Sequence, residues 1–459
     1  MCGIAGRIGV GASEGSVQKM SEAISHRGPD DSGLWCDQGV ALAHQRLSII
    51  DLIGGQQPMV SASGRWILIF NGEIYNFQDL KSGILSQYPY RTTSDTEVIL
   101  AALEYWGEPA LRHLQGMFAI AAWDNLNKRL LLARDAQGIK PIYFSSIHKD
   151  FLFGSEVAAL FAAGVKAEVD DSSLDVFLDL RFVPSPHTLF KGVKKLPPGH
   201  LIWVDIDGSV SDPRPFDFGA PSIKHAVSRI ELIDQLSDSL VNAVQRQMIA
   251  DVPIGVLLSG GIDSGAVAAA ALRSGHHVST FCVGYSEEHP SNEFEEARRT
   301  SELLGTDHHE LSIDAKSALD IMPKVVKHLE EPVVTSSVFS FFLLCESVAK
   351  YRKVVLSGQG ADEPWGGYGR HQVASLEAML APIIRAADRI MPSGLKKKDI
   401  WKRLLEAYSS ANELEKIIGL HSLFPGAGRQ QIRAVANFSN THSYLQQIMR
   451  ALPANATFL

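Results

Sequence analysis

At 459 residues the chain is too long for one hydrophobic core, so two or three domains are expected. A net charge of −8, 45% hydrophobic and 20% charged residues describe a soluble globular protein. The lack of a long basic run points away from nucleic acid as a partner, and no apolar run approaches the ~18 residues of a membrane span.

The chain opens Met1-Cys2-Gly3-Ile4-Ala5-Gly6, with neither the basic start nor the long apolar core of a secretory signal. Residue 2 is small enough to permit removal of Met1, after which Cys2 would carry both a thiol and a free α-amine. An α-amine titrates near ~8, so it can take the thiol proton close to neutral pH, directly or through a water. That combination predicts covalent acyl-transfer chemistry. The other cysteines, Cys36, Cys282 and Cys345, form neither a CxxC pair nor a disulfide framework, which suits a reducing cytosol.

Up to about residue 205 the chain reads as short strands, turns and a few helices. Residues 66–70 predict a strand ended by the turn signal Asn71-Gly72; 129–134 and 151–153 predict further strands, and 96–106 a helix. The mixture implies sheets covered by helices, an α+β domain over residues 1–206. Residues 207–224, rich in Asp, Ser, Pro and Gly over most of their length, read as a linker to a second domain at 225–459.

Beyond the linker the rhythm changes. Strands are predicted at 252–258, 278–283 and 353–356, alternating with helices at 264–274 and 292–304, the latter with Asn292 as N-cap and Glu295 closing a capping box. The alternation argues an α/β fold with a parallel sheet and helices on both faces, whose ligands sit at the carboxyl ends of the strands. From about residue 371 the pattern is mostly helical.

Several residues of the first domain suit a site built around Cys2. The Asn71 side-chain amide and the Gly72 N–H can jointly hold a tetrahedral oxyanion, although Asn-Gly alone reads equally as a hairpin turn. Arg46 can clamp a carboxylate with its fork. Glu73 or Asp95 can accept an ammonium, although Ser94 or Asp95 before a helix also reads as an N-cap. The segment His26-Arg27-Gly28-Pro29-Asp30 reads as a loop over such a site.

Together with His44-Gln45-Arg46-Leu47-Ser48-Ile49, Asn71-Gly72-Glu73-Ile74-Tyr75-Asn76, Ser94-Asp95-Thr96-Glu97 and Arg134-Asp135-Ala136-Gln137-Gly138-Ile139-Lys140-Pro141, these segments resemble the class II glutamine amidotransferase domain. Within that group the chain is most similar to the glutamine-hydrolysing asparagine synthetases. The resemblance implies an αββα N-terminal-nucleophile hydrolase fold, Cys2 as nucleophile, and Asn71 and Gly72 as oxyanion donors. It places Arg46, Leu47, Ser48, Ile49, Ile50, Glu73 and Asp95 around glutamine.

In the second domain, Ser259-Gly260-Gly261-Ile262-Asp263-Ser264 joins a predicted strand to a predicted helix. Glycines let backbone N–H groups approach phosphates, and a helix N-terminus favours their charge. Asp263 would bind the Mg²⁺ that a phosphate-rich site needs. The motif lacks the Gly-Lys-Ser ending of a Walker A loop and resembles the pyrophosphate loop of ATP pyrophosphatases, which form acyl-adenylates. The segment 356–368 ends a second strand in the same way, with Asp362 as a second Mg²⁺ ligand. The resemblance further implies that Leu257, Val283, Ser357 and Gly358 line the ATP site.

The implied reaction takes ammonia from glutamine on Cys2, carries it through an internal tunnel and delivers it to a β-aspartyl-AMP made from aspartate and ATP. A cytoplasmic homodimer is the implied form. The chain departs from the pattern in two places. Family members acting on aspartate usually carry Ser-Gly-Glu-Gly where this chain has Ser357-Gly358-Gln359-Gly360, and the glutamate is associated with forming the adenylate. The final segment 451–459 leads, in the family, into further conserved stretches and a catalytic lysine, so a C-terminally incomplete synthetase domain is expected. An acceptor other than aspartate, in a secondary metabolite or the cell envelope, stays open. So do a chain with glutaminase activity alone and an inactive remnant that only binds glutamine or nucleotide.

Overall fold

Residues 66–74 alternate between two apolar environments, and that alternation sets the architecture of the first half of the chain. In the computed structural model, which describes residues 1–216, 228–286, 292–335, 337–368 and isolated residues between 382 and 431, they form one strand. Trp66, Leu68 and Phe70 point into one core, and Ile67 and Ile69 into another. Period-2 alternation with both faces apolar requires a covering layer on each side.

Among the described residues the first sheet holds β1 (Gly3–Ile8), β2 (Asp31–Asp37), β3 (Val40–Arg46), β8 (Tyr143–Ile147), β9 (Asp150–Gly154) and β10 (Val193–Lys195), in the order β10-β8-β9-β1-β3-β2. The second holds β4 (Met59–Val60), β5 (Trp66–Ile74), β6 (Gly116–Asp124), β7 (Arg129–Arg134), β11 (His200–Asp205) and β12 (Arg214–Pro215), in the order β12-β11-β7-β6-β5-β4. Every pairing in both sheets is antiparallel.

Ile4, Leu42, Phe151 and Phe153 of the first sheet meet Ile69, Trp123, Leu132 and Ile202 of the second in the core between them. Each such side chain stabilises the fold by about 1.5–3 kcal/mol relative to exposure. Helices α1 (Glu14–Ala23) and α4 (Val157–Ala162) lie on the first sheet. The outer face of the second is covered by α3 (Asp95–Trp106), through Val98, Ile99, Ala102 and Leu103, with the short α2 (Phe77–Ser82) beside it. This is the αββα sandwich expected of the first domain.

One expectation is corrected here. Asn71-Gly72 is not a turn: β5 runs on to Ile74, and Asn71 and Gly72 pair with Ala119 and Phe118 of β6. The glycine serves close approach, because a Cβ on Gly72 would lie 2.1 Å from the Met117 carbonyl oxygen.

The second half builds a parallel sheet from β13 (Ile254–Leu257), β14 (Ser279–Tyr285), β15 (Asp307–Ile313) and β16 (Val354–Leu356), in the order β15-β14-β13-β16. Helices α6 (Arg229–Gln247), α7 (Ile262–Arg273) and α8 (Phe294–Leu304) share one core with it, containing Val244, Val256, Ala268, Ala271 and Ala297. On the other face Leu257 and Phe281 pack with Leu344 and Val348 of α11 (Ser337–Val348). The short α9 (Ala315–Asp320) and α10 (Met322–His328) precede α11. Successive strands run one way from β13 to β15, whereas β16 lies on the opposite side of β13. The order therefore reverses between β13 and β16, the place where open parallel sheets bind ligands.

The N-terminus of α8 also differs from expectation. Glu293, not Asn292, holds the cap position, and no side chain bonds there. The Asn292 side chain instead donates to the Tyr285 carbonyl oxygen at 3.1 Å, so it ties the helix start to the end of β14.

The chain divides into two compact units. The first comprises Met1–Ala167, Gly192–Glu330 and Ser336–Gly358, and so contains all three sheets. The second comprises Glu168–Lys191, Glu331–Thr335 and Gln359–Leu459. It holds α5 (Asp171–Leu180), capped by Asp170 accepting from the Ser173 N–H at 2.8 Å, and the single-turn α12 (Asp362–Trp365). The predicted helical region beyond residue 371 and the segment 451–459 lie almost wholly outside the described residues. Among those described, no helix is long and apolar enough to cross a membrane.

Candidate functional site

Cys2 stands one residue before β1, and the register of β1 on β3 (Gly3 opposite Gln45) sets it beside the exit of β3. There the Leu47 N–H donates to Cys2 Sγ at 3.4 Å. From the facing sheet, β5 brings Gly72 and Glu73, and the first turn of α3 brings Asp95. Cys2, Arg46, Leu47, Ile49, Ile50, Gly72, Glu73 and Asp95 line one open cleft of about 310 Å³. Gly55, Gln57, Phe70, Ser94 and Thr96 complete the wall; none of the five was given a role in the site from the sequence.

Two of the predicted residues stand behind this wall. Ser48 donates its N–H to Asp30 Oδ2 at 2.8 Å. Asn71 is 1% exposed, and its side-chain nitrogen is buried with no hydrogen-bond partner. Leaving a buried amide donor unpaired costs about 1–3 kcal/mol, so such a group signals a ligand it is built to meet.

Arg46 has a first duty to the protein. Its terminal nitrogens donate to the carbonyl oxygens of Leu52 (3.1 Å), Ile50 (3.3 Å) and Asp51 (2.6 Å), which shapes the loop after β3. Ser94 is the N-cap of α3, accepting from the Thr96 N–H. Asp95, at the first helical position, accepts from the Ile74 N–H at 3.0 Å, which joins the helix to the end of β5.

Burial dominates the electrostatics. It raises the Cys2 thiol, against the Leu47 hydrogen bond and the nearby chain amine. It lowers the Met1 amine to about 6, helped by the Arg27 and Lys140 cations. Glu73 is raised well above the usual carboxylate range by burial and then by Asp95, and Asp95 itself is pushed by burial to about 6. The cleft therefore holds a Met1 amine that burial lowers to about 6, and two carboxyls that keep their protons to higher pH than exposed ones.

Two cations near Cys2 were visible in the sequence but not singled out. The Arg27 Nε donates to the Cys2 carbonyl oxygen at 2.9 Å and its Nη1 to Glu156 at 2.8 Å. The Lys140 Nζ, 5% exposed as a residue, sits 3.1 Å from Met1 Sδ. Asp135 aims that lysine by accepting from the N–H groups of Phe118, Gln137, Ile139 and Lys140. The signal was the spacing of Asp135, Gly138 and Lys140, where one buried carboxylate orders a tight loop. Gly28 keeps the loop before Asp30 against β3, since a Cβ there would lie 2.3 Å from the Gln45 carbonyl carbon.

In the second half, Ser259–Gly261 link β13 to α7 at the strand-order reversal. The Ser259 N–H donates to Ser264 Oγ (3.0 Å), the Gly261 N–H to Ser259 Oγ (3.1 Å) and the Gly260 N–H to a carboxylate oxygen of Glu293 (3.0 Å). Successive amides thus already hold oxygen atoms, Glu293 among them unforeseen. Gly261 caps α7 without a side-chain bond, which leaves first-turn N–H groups open to an anion. Asp263 lies in that first turn, half-buried. Among the described residues no three acidic, His or Cys groups converge to hold a metal by protein alone. A site of one or two carboxylates completed by substrate phosphates is the usual design for Mg²⁺, and the donors here fit it.

Leu257 and Val283 join the apolar cluster under α11, and Gly358 follows β16 against the start of α7. Ser357 leads from β16 into Gly358. Gln359, Gly360 and Asp362 belong to the second compact unit, where Gly360 takes a φ of 96° that favours glycine.

Residues 1–215 match the family model described as a glutamine amidotransferase domain, and residues 235–451 the one described as asparagine synthase. Asparagine synthetase [glutamine-hydrolyzing] 1 of Bacillus subtilis is 32% identical over 395 residues, covering 84% of this chain and 62% of that protein. Asparagine synthetase [glutamine-hydrolyzing] 3 of the same organism is 33% identical over 437 residues, covering 90% and 70%. A putative asparagine synthetase [glutamine-hydrolyzing] of Mycobacterium tuberculosis is 32% identical over 469 residues, covering 94% and 70%. The chain thus spans 62–70% of the length of these relatives. A thiol cleft in an αββα sandwich, a glycine-rich loop on a parallel sheet, and likeness running through both lead to one statement: the chain belongs to the family of glutamine-hydrolysing asparagine synthetases.

Proposed function

We propose that this chain hydrolyses glutamine on Cys2 and uses the ammonia for ATP-dependent amidation of aspartate to asparagine. The observation that carries the first half is the buried, unpartnered side-chain nitrogen of Asn71, on the strand that delivers Gly72 and Glu73 to the cleft of Cys2. A residues 1–206 glutaminase domain, a 207–224 linker and a 225–459 synthetase domain are the division this reading uses.

Once Met1 is removed, the α-amine of Cys2 takes the thiol proton, and Sγ attacks the glutamine amide carbon. The developing oxyanion accepts from Asn71 Nδ2 and the Gly72 N–H. Collapse expels ammonia, carrying the proton from the amine, and leaves a γ-glutamyl thioester on Cys2. Water then attacks the thioester and releases glutamate. Glu73 and Asp95 hold the substrate ammonium and Arg46 its carboxylate, with Leu47, Ile49 and Ile50 lining the pocket and Ser48 supporting them from behind.

In the second half the Ser259–Ser264 loop holds the pyrophosphate portion of ATP, while Leu257, Val283, Ser357 and Gly358 line the nucleotide. The aspartate β-carboxylate attacks the α-phosphorus, pyrophosphate leaves onto the loop, and ammonia displaces AMP from the acyl-adenylate. Asp263 and Asp362 would hold Mg²⁺, whose chemistry is to offset charge on the phosphates. The cytoplasm and a homodimer are the location and assembly this reading carries.

Gln359 supports a second reading, amidation of another carboxylate, because an amide can neither carry the charge nor accept the proton of the family's glutamate. The test is one mixture of amide-labelled glutamine, aspartate and Mg-ATP, read by mass spectrometry. Labelled asparagine is the expected product. Glutamate and free labelled ammonia without asparagine would remove aspartate as acceptor. Absence of glutamate would remove the thiol reading itself.

A further inference from the structure

The loop after β3 carries Ile49 and Ile50 into the glutamine cleft. Its outer edge is gripped by residues that belong to the parallel sheet. Asp251 Oδ2 accepts from the Asp51 N–H at 2.7 Å, and the Asp251 N–H donates to the Ile49 carbonyl oxygen at 2.9 Å. These two bonds bracket Ile50. A second grip reaches the neighbouring residue: Lys353 Nζ lies 2.7 Å from Asp30 Oδ2, the same oxygen that accepts from the Ser48 N–H at 2.8 Å.

Both grips come from one end of one sheet. Asp251 precedes β13, and Lys353 immediately precedes β16. The two strands are parallel neighbours, with Ile254 opposite Val354. Their other ends lead to the Ser259 loop and to Ser357-Gly358. Each strand therefore starts on the glutamine loop and finishes at the phosphate loops.

We propose that Asp251 and Lys353 are positioning residues for the glutamine pocket, so that the nucleotide-binding half sets the loop that receives glutamine. This rests on the glutaminase reading of the Cys2 cleft. The loop has its own internal support, since the Asp51 carboxylate accepts from the N–H groups of Gly54 and Thr93, both at 2.7 Å. Losing the external grips leaves the loop folded but displaced. Such a change weakens substrate binding more than it slows the chemistry at Cys2. Asp251 carries more of the effect than Lys353. Its carboxylate bonds the loop backbone directly at Asp51, whereas Lys353 reaches Ser48 only through Asp30, in a pair whose side chains are 41% and 27% exposed and therefore screened by solvent.

The experiment measures glutamate formation by the full chain against glutamine concentration, for the original protein, Asp251→Ala, Asp251→Asn and Lys353→Met. Asp251→Ala is expected to raise KM for glutamine about tenfold, with kcat within about twofold. Asp251→Asn keeps an oxygen that accepts from the Asp51 N–H, so it recovers most of the original KM. Lys353→Met raises KM about two- to threefold. A fall in kcat at constant KM, or equal impairment by the Ala and Asn variants, would overturn the positioning role. If Asp251→Ala does not fold, an unchanged KM in Lys353→Met overturns it equally. Failure of the original protein to form glutamate would instead remove the glutaminase reading, and the inference with it.

Discussion

A methyl group on Gly358 would stand 2.5 Å from the amide nitrogen of Ser264. The contact exists because β16 pairs directly with β13, so the segment leaving one strand meets the helix that follows the other. Gly358→Ala is therefore expected to push the phosphate loop off its position and weaken Mg-ATP binding at least about tenfold, with glutamine hydrolysis unchanged. Titration calorimetry checks this, and an unaltered Kd would show that the loop does not need that approach.

Asn71→Ala removes the unpartnered amide donor. Losing one oxyanion donor typically costs about 100- to 1000-fold in kcat. That loss is expected in glutamate formation, with KM little changed, because the donor meets charge that exists only in the transition state. A rise in KM at normal kcat would make Asn71 a ground-state contact. Cys2→Ala should abolish glutamine use and spare synthesis driven by added ammonia; surviving glutamine-dependent turnover would show that the nucleophile lies elsewhere.

Asp263→Asn tests the other half. The substitution keeps the shape of the first turn of α7 and removes its charge. Pyrophosphate release dependent on Mg-ATP should be lost while glutamate formation continues. Release at the original rate would place the metal-binding carboxylate elsewhere.

His44 predicts acid sensitivity. Its ring is 1% exposed as part of β3 and donates through Nε2 to the Phe70 carbonyl oxygen at 3.1 Å. Burial lowers its pKa to about 4 from the usual 6.5. The folded state therefore holds the ring neutral where the unfolded chain takes up a proton. This contribution is complete above the unfolded value and is lost as pH falls from about 6.5 toward about 4, amounting to roughly 2–3 kcal/mol. Urea midpoints at about pH 7.5 and about pH 4.5 should differ less for His44→Gln, which retains a donor and cannot titrate in that range. An equal difference would assign the acid sensitivity to other groups.

Much was legible in the sequence because its signals are local. Periodicity over a few residues located β7 (129–134) without error and α3 and α7 to within two residues, and the switch to alternating strands and helices announced the parallel sheet. Cys2, Arg46, Gly72, Glu73 and Asp95 were named from residue type and segment, and one cleft gathers them. The misreadings were equally local. Asn-Gly signals a turn wherever strand pairing does not overrule it, and at Asn71-Gly72 nine residues of ladder with β6 overrule it. Asn292 has the chemistry of a cap, but its amide finds the Tyr285 carbonyl oxygen, a partner supplied by the neighbouring strand.

By itself, then, the sequence determined which chemical groups exist and which short segments carry them: a thiol near the amino terminus, a donor amide, acidic residues, and a glycine-rich loop before a helix. Only the tertiary structure decided which of these groups lose water and face one another. Burial is what holds Asp95 near 6 and leaves the Asn71 amide unpaired, and neither can be read from a residue's neighbours in the chain. The same holds for Asp251 and Lys353, which reach a loop some 200 and 300 positions away only because two adjacent parallel strands begin at the same end of one sheet.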